Sequence, residues 1–141
     1  MELLKKNGII SLLLIFIMTM IGCGNKAPKN IDEEIYNKSV EMLAYTERCF
    51  NNDTETTDEL YGEYEKWTRE LCEKQNRERT EEEKEVIRRI VGAGWELHRY
   101  KVLNVQIALD DYKKCVKEAK ELLNIPANKD SNEVWDKIKE K

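Results

Sequence analysis

The side chains in this sequence that are best suited to chemistry are one histidine, four cysteines and several runs of carboxylates. A zinc site needs three or four ligands of the Cys, His or carboxylate type. His98 has Cys115 as its nearest cysteine along the chain, and a helix connecting them would hold them about 25 Å apart. The sequence therefore predicts no metal site, and His98 is interpreted as part of a buried helix face.

Acidic residues 81–83 and 110–111 invite comparison with catalytic carboxylate pairs. Glycoside hydrolysis needs two carboxylates about 5–10 Å apart across a cleft, whereas adjacent residues on a helix point to different sides. We interpret these runs as a helix start and a solvated face. No GxSxG, HExxH, P-loop or GxGxxG motif follows residue 23. The prediction is a protein without catalytic residues or a cofactor, and not an enzyme.

The cysteines permit at most one disulfide within the chain once Cys23 is set aside, because Cys49, Cys72 and Cys115 are three in number. In a helical hairpin, Cys49 and Cys72 would differ in height by about 20 Å, and a disulfide needs Cα atoms within about 7 Å. A pair between Cys49 and Cys115 stays open. The favoured interpretation is that all three are small hydrophobic core residues.

A ligand pocket between helices is the remaining candidate site. It would be lined by Tyr64, Trp67, Trp95 and His98. Aromatic residues at helical spacing usually belong to a core, so this pocket is the alternative to a fully packed bundle. The ligand-pocket and packed-bundle interpretations differ in whether an apolar cavity with converging polar groups lies between the helices.

The N-terminus carries a different kind of chemistry. Lys5 and Lys6 precede an apolar run over residues 9–21, which is the layout of a secretory signal. The run is shorter than the roughly 20 residues that span a bilayer. It ends in Met-Ile-Gly-Cys at residues 20–23, which resembles the lipobox of bacterial prolipoproteins, with Met20 where Leu is commoner.

The resemblance implies that Cys23 receives a diacylglyceryl thioether and that a peptidase cuts between Gly22 and Cys23. The expected divisions are a signal peptide at 1–22, a lipidated cysteine and tether at 23–30 and a helical domain at 31–141. Two acyl chains anchor a protein stably. The resemblance therefore implies a protein held on the extracytoplasmic face of the cell membrane by its lipid.

Composition limits the partners of the remaining domain. The chain has 141 residues and a formal net charge of −4, and an acidic balance argues against nucleic acid as a partner. Charged residues make up 37%, with 6 Gly and 2 Pro. This profile favours one well-solvated, all-helical domain.

Helical periodicity and capping signals predict helices at residues 32–50 and 57–76, a long third helix at 81–123 and a short one from Ser131. The second helix carries the stripe Leu60, Tyr64, Trp67 and Leu71. Thr80 with Glu83 is the clearest capping box, and Asn30 with Glu33 is a weaker one. Val134, Trp135 and Ile138 on the last helix are expected to cover the end of the bundle.

The third helix dominates the predicted architecture. It would be about 65 Å long, with an apolar stripe at steps of three and four, namely Ile87, Val91, Gly94, His98, Val102, Val105, Leu109, Tyr112, Val116, Ala119 and Leu123. A break or kink at Gly92 and Gly94 would give a four-helix bundle. A straight helix would give a hairpin of two helices on a rod whose free part exposes its stripe for a partner or for self-association.

These observations favour a lipid-anchored protein that binds another macromolecule, expected to be a protein, at the cell envelope. Immunity and phage-exclusion lipoproteins are small anchored proteins of this kind, and a similar inhibitory role is one alternative. A small-ligand-binding helical module is the other.

Overall fold

The computed structural model describes residues 26–52, 57–73 and 77–141, apart from the side chains at positions 57, 58, 72 and 73. The signal segment, the lipobox, Cys23 and the Gly22–Cys23 bond lie outside these ranges. The described residues form α1 (Glu33–Asn51), α2 (Thr57–Glu73), α3 (Glu81–Lys101), α4 (Ala108–Leu122) and α5 (Ser131–Lys139), without a β-strand. The predicted all-α bundle is confirmed. Within the same ranges, no helix has the length and hydropathy to cross a membrane.

Helices α1 and α3 run parallel to each other. At their N-terminal ends, the Asp32 amide donates to the Glu83 carboxylate at 2.8 Å. At their C-terminal ends, the Lys101 ammonium donates to the carbonyls of Cys49 and Asn52. Helix α2 packs against both of them, and α4 packs along α3. The helical bundle therefore has two ends. We call the end with the N-termini of α1 and α3 the proximal end, and the end with their C-termini the distal end.

The starts of α1 and α3 are joined by a buried carboxylate. Thr80 and Glu83 form the predicted capping box. Glu83 is fully buried and also accepts hydrogen bonds from the Asp32 amide and from two nitrogens of Arg77. The predicted cap at Asn30 is wrong, because the Asp32 side chain caps α1 by accepting from the Glu34 amide. One acidic side chain thus fixes where two helices begin.

The predicted long third helix is two helices in the structure. Helix α3 ends at Lys101, and α4 begins at Ala108 and packs back against α3. The turn between them places Asn104 at φ 56°, a left-handed conformation that Asn tolerates better than most residues. No break occurs at Gly92 or Gly94, since α3 continues through both. The turn escaped prediction because residues 102–107 are largely apolar and continue the periodicity of the flanking helices.

The buried face of α3 differs from the predicted stripe by one position. Val86, Ile90, Ala93 and Leu97 are completely buried, whereas Val91 and Val102 of the predicted stripe are 40% and 48% exposed. Helix α3 carries apolar residues along two neighbouring lines. A prediction that treats the 43 residues as one helix extends the apolar line of the α4 half into α3, where it follows the wrong one of the two lines. In α4 and just beyond it, Tyr112, Val116, Ala119 and Leu123 of the predicted stripe are buried, whereas Leu109 is only partly buried.

Helix α5 lies beside α1, antiparallel to it, and does not cover the end of the bundle as predicted. Its first amide, at Ser131, donates to the Glu47 carboxylate at 2.8 Å. The other oxygen of Glu47 pairs with Lys120 at 2.5 Å, and Lys120 also donates to the Lys129 carbonyl. Because Lys120 and Glu47 are nearly buried, this pair connects α1, α4 and the start of α5.

Tyr64 holds α1, α2 and α3 together. Its hydroxyl donates to the Ile90 carbonyl at 2.9 Å and shares a hydrogen bond of 2.6 Å with the Thr46 hydroxyl. Burial raises the pKa of this hydroxyl above its ordinary value, so it stays protonated at neutral pH. Its ring lies directly on Gly94, where an added Cβ would come within 2.4 Å of the ring. Gly94 is therefore a close-approach residue.

We predict that Gly94→Ala destabilises the protein by about 1–3 kcal/mol, because the hydrogen-bonded Tyr64 ring cannot move aside and overpacking has costs of that order. Gly62→Ala is the matched control, since nothing lies within 4 Å of the added Cβ. In a helix interior it should stabilise by about 0.5–1 kcal/mol. Urea unfolding followed by circular dichroism measures both. Equal stabilisation by the two substitutions would contradict the packing of Tyr64 on Gly94.

A second prediction concerns Glu83 and pH. Burial alone would raise the pKa of Glu83, but the hydrogen bonds from Arg77 and the amides of Asp32 and Thr80 outweigh it and lower the pKa below its ordinary 4.5. A lowered folded-state pKa contributes stability above the unfolded-state value, and this contribution is lost as pH falls through the folded-state value.

At pH 7, Glu83→Gln should therefore cost about 2 kcal/mol, the order expected for hydrogen bonds to a buried charge. The difference from the unsubstituted protein should shrink steadily below pH 4.5. Urea unfolding across this range is the measurement, and Glu82→Gln, at an exposed position on the same turn, is the control. A cost that stays constant down to pH 3 would contradict a lowered pKa of Glu83 in the folded protein.

Candidate functional site

The α2–α3 groove is an open, mainly apolar depression between those two helices. Its volume is about 280 Å³. Its floor lies where Tyr64 crosses Gly94, and its walls are aromatic side chains that extend into solvent. The lining residues are Leu60, Tyr61, Tyr64, Glu65, Thr68, Val91, Gly94, Trp95 and His98.

The groove exists because the Tyr64 side chain of α2 comes very close to α3 at Gly94, between large exposed side chains. With no side chain at Gly94, the Tyr64 ring fits against the backbone of α3. Tyr61, three residues earlier on α2, and Trp95, one residue after Gly94, flank this contact and remain 59% and 51% exposed. The contact of Tyr64 with Gly94 forms the floor, and the large rings on either side form the walls of the groove.

Three rings form a continuous aromatic wall. The Trp95 and His98 rings are stacked with centroids 6.0 Å apart and an interplanar angle of 16°. Tyr61 meets His98 edge-on, with centroids 6.4 Å apart. The Nδ1 atom of His98 is buried and has no hydrogen-bond partner among the described residues. Such rings offer apolar faces to a flat or aliphatic group and attract cations.

The polar groups of the groove are few and already engaged with their neighbours. The Thr68 hydroxyl donates to the Tyr64 carbonyl, and the Tyr64 hydroxyl is bonded to α1 and α3. Glu65 pairs with Arg69 at 2.8 Å, and both side chains are more than 60% exposed. An exposed pair of this kind contributes little to stability. The Glu65 carboxylate can therefore also serve an incoming cation.

Three of the four predicted pocket residues, Tyr64, Trp95 and His98, meet in this groove, and Trp67 does not. Trp67 is 4% exposed, and its indole donates to the Lys38 carbonyl of α1 at 3.0 Å. Residues three apart on a helix point about 60° away from each other. Because α2 packs against two helices, Tyr64 faces α3 while Trp67 faces α1.

The apolar tip is defined as Val102, Leu103 and Ile107, of which only Val102 belongs to the apolar stripe predicted for the third helix. These residues lie in and beside the α3–α4 turn and are 48%, 56% and 67% exposed. Val102 follows His98 by one helical turn, so the tip lies at the distal end of the bundle, next to the groove along α3. The predicted stripe was expected either to pack in a four-helix bundle or, on a straight helix, to be partly exposed for a partner, and it does not include Leu103 or Ile107.

A second groove, of about 230 Å³, lies between α1, α2 and α5. It contains Trp67 and Trp135, but much of its surface is charged. Lys38 bridges Glu41 and Glu70 at 3.3 Å and 2.9 Å, so these charges satisfy one another. The two grooves therefore differ in character, and the α2–α3 groove has the larger exposed apolar surface.

The two cysteines with described side chains, Cys49 and Cys115, are not among the lining residues of either groove. Cys49 is buried in the core, as predicted. Cys115 has a free, half-buried thiol beside Gly92, and burial raises its pKa. Cys72 lies in α2, and its side chain is outside the described part. No cluster of three or more His, Cys, Asp or Glu suited to a metal ion occurs in the described ranges.

No protein-family model, curated protein or solved structure matches this chain. The two grooves, the apolar tip and the N-terminal resemblance are therefore the features that bear on function.

The grooves generate a prediction about two tryptophans. Trp67→Ala should destabilise the protein by about 3–5 kcal/mol, because it empties a buried site. Trp95→Ala should change stability by no more than about 0.5 kcal/mol, as exposed substitutions do. Urea unfolding of both variants tests this. If Trp95→Ala proved as costly as Trp67→Ala, Trp95 would be a core residue and not part of a binding surface.

Proposed function

We propose that this protein is a membrane-anchored extracytoplasmic lipoprotein that binds another macromolecule at the cell envelope. The observation that carries the proposal is the exposed apolar surface formed by the α2–α3 groove and the apolar tip. Monomeric soluble proteins rarely expose large contiguous apolar patches, and such patches often mark interaction sites. In the proposed assembly, the lipid provides the location and this surface provides the binding.

The position of the surface relative to the anchor supports the proposal. Ala27 already packs against the core and Ile31 is buried, so ordered contacts begin within the predicted tether. At most about 14 Å of chain would separate Cys23 from Ala27. Helix α3, with 21 residues, extends about 30 Å from the proximal to the distal end. A lipid on Cys23 would place the apolar tip on the side of the domain away from the membrane.

A small-ligand module is the competing proposal, and the aromatic wall formed with Trp95 and His98 favours it. Typical ligand pockets have about 300–1,000 Å³ and enclose most of the ligand, whereas this groove has about 280 Å³ and its walls are half exposed. A macromolecule would contact the groove and the tip together. An inhibitory lipoprotein of the immunity or exclusion type would be a special case of macromolecular binding.

Photocrosslinking on intact cells tests the proposed function. A photoreactive phenylalanine derivative would replace Tyr61 in the groove or Ile107 at the tip, and Lys113, exposed on α4, would be the control position. We expect one discrete protein adduct from the first two positions and none from the third. The adduct should disappear when Cys23→Ala is added, because the protein would then leave the membrane.

Adducts of equal yield from all three positions would contradict a specific binding surface. An adduct that is unchanged by Cys23→Ala would contradict the role of the lipid anchor. If the groove and the tip form no protein adduct and native mass spectrometry finds a bound small molecule, the ligand-binding module replaces the present proposal.

A further inference from the structure

We infer that the element which occupies the α2–α3 groove is a cationic amphipathic helix of the partner protein. This inference rests on the proposed function and specifies its partner. The supporting observation is the distribution of charge. Helix α2 contains six acidic and two basic residues, a formal charge of −4, while the entire chain carries −4. Helix α2, which forms one wall of the groove, thus carries much of the net charge, and Glu65 is its carboxylate in the groove lining, while Glu63 and Glu70 face the second groove.

The other wall of the groove is neutral and carries the apolar contacts. Helix α3 contains five acidic and five basic residues. Val91 and Trp95 on α3 and Val102 just beyond its end are exposed, and they follow one another at helical spacing over about 16 Å. A helix that docks in a groove presents anchors at i, i+3 or i+4 and i+7, and a further anchor one turn later brings their extent to about 16 Å. The dimensions therefore suit about three turns of a partner helix.

The acidic wall determines which helix fits. With its apolar face against Trp95, a docked helix would turn a flank toward Glu65 and the rest of α2. A lysine or arginine on that flank can share the Glu65 carboxylate, because the pair of Glu65 with Arg69 is exposed. The exposed Tyr61 and Trp95 rings add cation–π attraction for the same side chains. An acidic flank would instead meet like charge.

The same charge disfavours two other occupants. A second copy of this chain, docked groove to groove, would bring two α2 helices of charge −4 together, and like-charge contact across an interface is unfavourable. An anionic lipid surface would be repelled for the same reason, since such surfaces attract basic segments. A cationic helix satisfies both the apolar and the electrostatic character of the groove.

Peptide binding to the full chain, purified with its anchor and inserted in neutral phosphatidylcholine nanodiscs, tests the inference. The probe is a labelled 18-residue helix of about five turns, with leucines on one face and lysines on the other, and its counterpart has glutamate for every lysine. Fluorescence anisotropy gives both dissociation constants, with empty nanodiscs as background. The lysine peptide should bind at least about tenfold more tightly, and its affinity should fall as salt rises.

Two charge reversals locate the binding. Glu65→Lys should weaken binding of the lysine peptide at least about tenfold, and Trp95→Ala should weaken it further. Glu121→Lys is the matched control, because Glu121 is also exposed and pairs with a basic residue four positions away, Lys117, but lies on α4. It should leave the dissociation constant unchanged. Circular dichroism confirms that each variant keeps its helices.

Equal affinity for the two peptides, or a lysine-peptide affinity that neither Glu65→Lys nor Trp95→Ala changes, would overturn the inference. Absence of lysine-peptide binding would do the same. If photocrosslinking from Tyr61 nevertheless captures a protein that requires Cys23, the proposed function stands and only the nature of the docked element is wrong. If both experiments fail, the proposed function fails with the inference. A dimer in size-exclusion chromatography that Trp95→Ala dissolves would identify a second copy as the occupant.

Discussion

The contact of Tyr64 with Gly94 is the constraint on which the rest of the structure depends. The ring lies on the backbone of α3, and the hydroxyl reaches Thr46 on α1 and Ile90 on α3. One side chain therefore sets the spacing of three helices. It also shapes the groove, because the ring lies on Gly94 at the floor while the exposed Tyr61 and Trp95 side chains form the walls. The packing and the candidate site thus have a common origin.

Two buried polar clusters fix the positions of the helices along their axes, which apolar packing alone would not determine. Glu83 joins the start of α3 to the start of α1, and the pair of Glu47 with Lys120 joins α1 to α4 and to the first amide of α5. Burying these charges is costly unless their hydrogen bonds are satisfied, and here the carboxylates accept backbone amides as well as cations. Apolar surfaces slide past one another more readily than such directional contacts. The clusters therefore define how far each helix extends.

The sequence was sufficient to predict most of the helices, but not which face of each helix packs against which neighbour. Thr80 predicted its capping box and the Leu60-to-Leu71 stripe predicted α2, because both signals are local. The break at residues 102–107 was missed because apolar residues in the turn imitate a continuing helix. The assignment of Trp67 to the pocket failed for a related reason. Periodicity identifies an apolar side of a helix, but only the positions of α1 and α3 decide which neighbour each residue faces.

The second apolar line of α3, which includes Val91 and Trp95, explains why the buried face of this helix was predicted wrongly. It also supports the proposed role of the protein. A helix with one partner-facing side needs one apolar line, and α3 already buries Ile90 and Leu97 in the core. Val91 and Trp95 form an additional line that the fold does not use, and keeping it exposed forgoes about 25 cal/mol for each Å² of apolar surface. An apolar groove of this kind invites self-association. The charge of α2 beside it opposes that outcome, because two copies would repel while an oppositely charged helix would be attracted. The negative charge of α2 can therefore both oppose self-association of the free protein and favour an oppositely charged helix as its partner.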